Sequence, residues 1–284
     1  MNYRHAFHAG NFADVFKHAV LARLIEYLKR KEAAFRVVDT HAGIGRYDLQ
    51  ASEATRTGEW QDGIARLMNA ELKPNVAALL GPYLSAVRAL NPDGQLRFYP
   101  GSPSVTRHLL RKQDRLSALE LHPQDAQTLQ AVFAGDHQVR VIPLDGWLAM
   151  GAHLPPKEKR GLVLVDPPFE QSGEFERMAE HLANAYRRWP GGIYAFWYPI
   201  KDLAAVERYR DRLAGLGIPK ILDTWLLIRG AAPESGLIGS GMVIVNPPFT
   251  LQDELSVLLP ALCGCLQSDK GASSGTRWLA REQV

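Results

Sequence analysis

Four short apolar runs each end on or just before an acidic residue, and the spacing between those acids restricts what the chain can fold into. The runs are Ala34–Val38, Leu116–Glu120, Val139–Leu144 and Gly161–Val165, and the acids are Asp39, Glu120, Asp145 and Asp166. Runs this short, separated by helical or polar stretches, read as buried parallel strands. The carboxyl ends of an open parallel sheet line one crevice, where the ligand sits. Glu120 and Asp145 stand 25 residues apart and Asp145 and Asp166 stand 21 apart, room each time for one helix and one strand. Gly45 and Glu120 are separated by 75 residues, where roughly 20 is usual for a dinucleotide site. The excess reads as two amphipathic helices, over residues 57–69 and 74–90. Asp is also a frequent turn residue, so any one of these acids is equally well a plain strand terminator. Four at matching positions favour a site.

The remaining pattern agrees with an α/β chain. A helix is expected from about Asn11 to Lys31, with Asn11 as N-cap, Asp14 in the capping-box position, and Val15, Ala19, Ala22, Ile25 and Leu28 on one stripe. Gly192–Tyr198 reads as a further strand, and Lys220–Ile228 with Gly241–Val245 as an antiparallel pair closing the sheet. Residues 268–275, rich in Ser and Gly, read as a flexible loop.

Composition only narrows the class. Apolar residues make up 46% and charged residues 22%, which is globular rather than disordered. Two cysteines, Cys263 and Cys265, exclude a disulfide framework and suit the reducing cytoplasm as small core residues. No histidine or cysteine cluster has metal-ligand spacing, so no metal is expected. No apolar run approaches the ~20 residues of a membrane helix, and the polar start at Met1–His5 does not read as a secretory leader. The net charge of +3 decides nothing by itself. Basic residues do cluster locally, at Arg107, Arg111, Lys112 and Arg115, at Lys157, Lys159 and Arg160, and at Arg208, Arg210 and Arg212. Two such clusters beside the crevice would hold phosphates, although a solvated face is the default for each.

The chemistry is written most specifically in Val163-Leu164-Val165-Asp166-Pro167-Pro168-Phe169. The exocyclic amine of adenine is a poor nucleophile because its lone pair is delocalised into the ring. A carboxylate and a backbone carbonyl that accept both amine hydrogens favour a more tetrahedral nitrogen and take up developing positive charge. Prolines fix φ and bring no competing donor, and an aromatic ring can stack on a base taken out of its helix. The pattern therefore points to amino-group methylation with S-adenosylmethionine, Asp166, Pro167 and Phe169 carrying catalysis. Gly43-Ile44-Gly45 lacks the third glycine of the dinucleotide fingerprint, which disfavours a nicotinamide dehydrogenase. A second copy, Asn246-Pro247-Pro248-Phe249, follows the last strand expected. That strand runs antiparallel, so its exit lies at the opposite sheet edge and Asp166 is preferred.

Taken together, the segments Tyr3–His18, Asp39–Gly43, Tyr99–Pro103, Glu120–Pro123, Asp145–Gly146 and Asp166–Phe169 resemble the bacterial RlmJ family of 23S rRNA adenine-N6 methyltransferases, in family order and over nearly the whole chain. The resemblance implies a Rossmann-like class I S-adenosylmethionine-dependent methyltransferase fold with an inserted helical subdomain. The methyltransferase domain would span 1–47 and 99–284 and the insertion 48–98. It also implies cofactor contacts at His18, His41, Ser102, Glu120, Asp145, Gly146 and Asp166, and RNA contact at Tyr3. Arg4, Lys17 and Phe169 complete the expected substrate set. Read alone, His18 is a core histidine on the helix stripe, and Ser102-Pro103 is an N-cap followed by Pro at the first helical position. Glu120 is placed for ribose hydroxyls and Asp145 for the cofactor's adenine amine. The expected partner is 23S rRNA, naked or partly assembled, met by a cytoplasmic monomer. A DNA adenine methyltransferase and a protein glutamine methyltransferase are the rivals within the class. The first lacks a base-reading domain, and the second usually has Asn in place of Asp166.

Overall fold

A computed structural model describes residues 4–231 and 236–282. The strands are β1 (Arg36–Asp39), β2 (Arg46–Asp48), β3 (Phe98–Pro100), β4 (Arg115–Leu119), β5 (Val139–Ile142), β6 (Gly161–Val165), β7 (Ile193–Ile200), β8 (Ile221–Leu227), β9 (Gly239–Val245) and β10 (Ser273–Ala280). Eight of them form one sheet in the order β10-β8-β9-β7-β6-β1-β4-β5, and β2 and β3 pair separately. Neighbours from β5 through β7 are parallel, and β9 runs antiparallel to both β7 and β8. This is the Rossmann-like class I methyltransferase order. The helices are α1 (Phe12–Lys29), α2 (Ser52–Thr57), α3 (Arg66–Met68), α4 (Pro74–Ala89), α5 (Ser102–Leu109), α6 (Pro123–Val132), α7 (Gly146–Ala152), α8 (Glu174–Arg188), α9 (Leu203–Ala214) and α10 (Leu251–Leu266).

Side chains alternate across a strand, so a central strand must be apolar at every position to serve two cores. In β6, Leu162 and Leu164 join one cluster while Val163 and Val165 join the other; in β9, Met242 and Ile244 divide from Val243 and Val245 in the same way. The first cluster is closed by α1, α4, α5, α6 and α10, the second by α7, α8 and α9. Asn11 caps α1 as expected, its side chain accepting from the N–H groups of Ala13 and Asp14. Asp14 does not complete a capping box. Its carboxylate takes the N–H of Gly10 at 2.9 Å and turns inward.

Residues 48–98 contribute no residue to the large sheet but share its first core, where Ile64, Leu80, Tyr83 and Val87 are buried with Phe16, Val20 and Leu24. The single helix expected over 57–69 is broken into α2, a π-helical turn at Gln61–Ala65, and α3. Gly63 is the cause. Its backbone is non-helical, and a Cβ there would sit 2.1 Å from the carbonyl oxygen of Gly10. The turn is pinned to the chain before α1 by Ile64 N–H donating to Gly10 at 2.8 Å, and by Glu59 bonded to both His8 and Asn11.

One further expectation is corrected. The loop expected over 268–275 gives way at Ser273 to β10, a half-exposed edge strand that pairs with β8. An edge strand with one partner and a Ser-Ser-Gly start has no apolar alternation to announce it. Among the described residues no helix is long and apolar enough to cross a membrane.

Candidate active site

The carboxyl ends of β1, β4, β5 and β6 converge on one pocket of about 250 Å³. Its wall includes His18, His41, Ser102, Glu120, Asp145, Gly146, Asp166 and Pro167, all of them expected from the sequence and drawn from well-separated segments.

Backbone geometry sets several of them. Gly146 begins α7 where β1 ends, and a Cβ on it would fall 2.2 Å from the Thr40 carbonyl oxygen, so only glycine lets these two elements meet. Asp145 caps α7 by accepting from Trp147 N–H at 2.8 Å, which takes up Oδ1. Glu120 accepts from Gly43 N–H at 2.9 Å and His122 N–H at 2.8 Å, one bond on each oxygen. Burial nonetheless raises its carboxyl above the ordinary glutamate value. Ser102 is the first residue of α5 rather than its cap, which is Gly101, held by donation to the Gly45 carbonyl at 2.8 Å. The Ser102 hydroxyl is turned toward Asp39 instead, without closing a well-formed hydrogen bond.

Two of the three histidines on the pocket wall, His18 and His41, are uncharged near neutrality. Burial brings His18 down to about 3 and His41 down to about 4. His18 shares its Nδ1 with the Tyr99 hydroxyl at 2.7 Å, and Tyr99 meets Tyr83 at 3.0 Å, which explains why a core-like histidine is tolerated on the α1 stripe. Its Nε2 is buried and has no partner, and both oxygens of Asp39 and Oε1 of Glu174 are in the same condition. Asp39, fully buried, is pushed up to about 7 by burial.

Asp166 is held by a residue expected to serve elsewhere. Lys17 is buried, with Nζ 2.8 Å from Asp14 and 2.5 Å from Oδ2 of Asp166. Burial works against its charge, but the two carboxylates outweigh it and hold the ammonium well above the ordinary lysine value. Asp14 is likewise buried, yet His5 at 2.9 Å and Lys17 hold it well below the carboxylate range. Lys17, on the pocket wall, is therefore spent on two carboxylates and presents no ammonium to an RNA phosphate. The expectation of a phosphate contact gives way to one of a positioning group. Oδ1 of Asp166 has no hydrogen-bond partner among the described residues.

Phe169 does not line the pocket. Its ring packs against Phe175 at 5.3 Å and Trp197 at 6.0 Å, and its φ is +52°. Arg4 is exposed and outside the pocket wall, and Tyr3 lies outside the described residues. Asn246 lies at the other end of the sheet, donating through Nδ2 to the carbonyls of Pro190 at 2.8 Å and Gly192 at 2.7 Å. The second tetrapeptide thus ties down the start of β7. Sequence reading missed His5, Asp14, Trp147 and Glu174. Asp14 alone carried a signal, since an acid three residues before Lys17 shares its helix face.

Comparison with known proteins then decides the family. A family profile described as "Ribosomal RNA large subunit methyltransferase D, RlmJ" matches residues 32–280. The chain belongs to the RlmJ family. It is 41% identical over 282 residues to "Ribosomal RNA large subunit methyltransferase J" of Escherichia coli (strain K12), covering 99% of this chain and 100% of that protein. The RlmJ protein of Haemophilus influenzae (strain ATCC 51907 / DSM 11121 / KW20 / Rd) is 40% identical over 284 residues, with 99% and 100% covered. A crystal structure of protein LPL1258 from Legionella pneumophila, at 33% identity, superposes with a TM-score of 0.86 over 95% of this chain and 98% of that one. The chain thus shares family and fold with these relatives along nearly its full length.

Proposed function

We propose that this chain transfers a methyl group from S-adenosylmethionine to the N6 amine of an adenine in 23S rRNA. The observation that carries the reading is Asp166-Pro167-Pro168, at the end of the central strand β6, opening into a pocket with one carboxylate oxygen clamped by Lys17 and the other unpartnered. Membership of an rRNA large-subunit methyltransferase family supports it over methylation of DNA or of a protein glutamine.

The pocket suits that cofactor. Its buried polar atoms without partners, Nε2 of His18 and Oε1 of Glu174, ask for a ligand bearing both donors and acceptors. Two neutral histidines impose no repulsion on a sulfonium cation. Glu120, with its oxygens already oriented by backbone N–H groups, is placed to accept the ribose hydroxyls, as an acid does in dinucleotide sites. Gly146 and the remaining oxygen of Asp145 would border the adenine, and His18 and Ser102 the methionine end. When bound, the cofactor supplies its methyl group as an electrophile. Asp166 Oδ1 and the Pro167 carbonyl accept the two hydrogens of the target amine and sharpen its lone pair. Lys17, already protonated and held high by its neighbours, is no base; it fixes Asp166 in place through one carboxylate oxygen. The prolines hold the carbonyl in place without offering a donor. Phe169 stiffens this turn through Phe175 and Trp197, and we keep it as the aromatic against which the extruded base stacks.

We further read residues 48–98 as an inserted helical element, Arg4 and Tyr3 as RNA contacts, and the enzyme as a cytoplasmic monomer acting on naked or partly assembled RNA. The test is methylation of a 23S transcript with labelled S-adenosylmethionine, followed by nucleoside analysis. N6-methyladenosine as the product supports the reading, and label on any other nucleoside refutes it.

A further inference from the structure

Two of the three basic clusters seen in the sequence come together in space, but at the end of the sheet opposite the pocket. Arg36 opens β1, Arg115 opens β4, Arg140 lies on β5, and Lys157 precedes β6. Together with His137 and His153 they line an open cleft of about 510 Å³ whose wall contains no carboxylate. The acids around it are committed elsewhere. Glu158 is bonded through both oxygens to Arg36 at 2.9 Å. Asp114 is taken by Arg111, and Asp136 by Arg107. Arg111 and Arg160 are themselves spent on the backbone carbonyls of residues 28–33 and on the face of Phe35. Arg115 donates only to the carbonyls of Lys112 and Asp114, which orient it without cancelling its charge. Arg140 and Lys157 are exposed, and their side chains have neither hydrogen bond nor ion pair among the described residues. Two full positive charges, Arg140 and Lys157, therefore face the cleft without an acidic partner among the described residues, with Arg115 beside them.

We infer that this cleft is a second phosphate-binding surface, which takes the backbone of the RNA substrate away from the methylated adenine. Exposed, separately anchored cations in an open groove suit a string of phosphates rather than one enclosed anion. The distance is short: the five residues of β6 span only about 17 Å. A folded RNA larger than a hairpin can therefore reach both ends of the sheet. The inference rests on the RNA-methylating reading above and adds to it an interaction that sets affinity without touching the chemistry.

The experiment compares the wild type with an Arg140→Gln/Lys157→Gln double variant on two substrates: a full-length 23S transcript and the shortest fragment of it still methylated. For the long transcript the variant should show a KM raised severalfold. The dependence of log KM on log salt should be shallower by about 1–2, because each phosphate the protein no longer neutralises removes about 0.7–0.9 from the slope. kcat on both RNAs, and KM on the fragment, should match the wild type. An unchanged KM and salt slope on the long transcript would overturn the inference, as would an equal loss on both RNAs. Saturable binding of inorganic phosphate that the variant loses, with RNA kinetics intact, would assign the cleft to a free anion and overturn it too. Turnover of the fragment by the wild type separates all of these outcomes from a failure of the RNA-methylating reading itself.

Discussion

Asp39 is buried at the end of β1 with neither oxygen in a well-formed hydrogen bond. A carboxyl so placed favours its neutral form, and burial lifts it to about 7 from an ordinary 3.8. The sign follows: the folded state binds the proton more tightly than the unfolded chain, so stability falls as pH rises from about 4 through 7. Asp39→Asn removes that dependence. The variant should match the wild type in thermal unfolding near pH 4 and exceed it at pH 8, by up to about 4 kcal/mol. Equal melting curves at both pH values would contradict this account of Asp39. The same scale shows why composition of a motif is not its role. Asp166 and Asn246 both precede Pro-Pro-Phe, yet one opens into a pocket and the other bonds two backbone carbonyls at the far end of the sheet. Strand direction, inferred from the sequence, separated them.

At the scale of elements, every strand from β4 to β9 was expected within a few residues, most clearly β6, β7 and β9, where burial on both faces leaves an almost unbroken apolar run. The acids at the strand ends followed from that pattern. Elements held by contacts rather than by pattern were not visible in this way. The β2–β3 pair is three residues long on each side, β10 is an edge strand, and the break at Gly63 is dictated by a backbone that passes 2.1 Å from where its Cβ would be. The Lys17–Asp166 bond joins residues 149 apart in sequence. Nothing local announces it, so Lys17 read as a surface cation. Gly63→Ala tests how far the turn governs the site, since it presses directly on the residues that start α1. It should cost about 2–4 kcal/mol of stability, seen as a melting temperature lower by several degrees. It should also lower kcat, because Asp14 and Lys17 lie on the first turns of that helix. A variant with unchanged melting and turnover would show that the turn is independent of the site.

For the whole molecule, the small net charge conceals a division of labour. At the pocket end carboxylates outnumber the two cations, Lys17 and Arg177, while cations without an acidic partner gather at the opposite end. A base must leave its stack to reach Asp166, at a cost of a few kcal/mol that mature ribosomal packing would increase. Free 23S rRNA should therefore be methylated at a higher kcat/KM than finished large subunits, and equal rates on the two would count against base extrusion from naked or partly assembled RNA.

The central claim is that Asp166, and not its Asn246 counterpart, accepts the amine of an adenine in 23S rRNA. Mass-spectrometric mapping of a 23S transcript incubated with S-adenosylmethionine and the wild type, Asp166→Ala or Asn246→Ala tests it most directly. The account predicts one N6-methyladenosine with the wild type, the same product with Asn246→Ala despite lowered stability, and none with a folded Asp166→Ala. Methylation by Asp166→Ala together with an inactive but folded Asn246→Ala would contradict it.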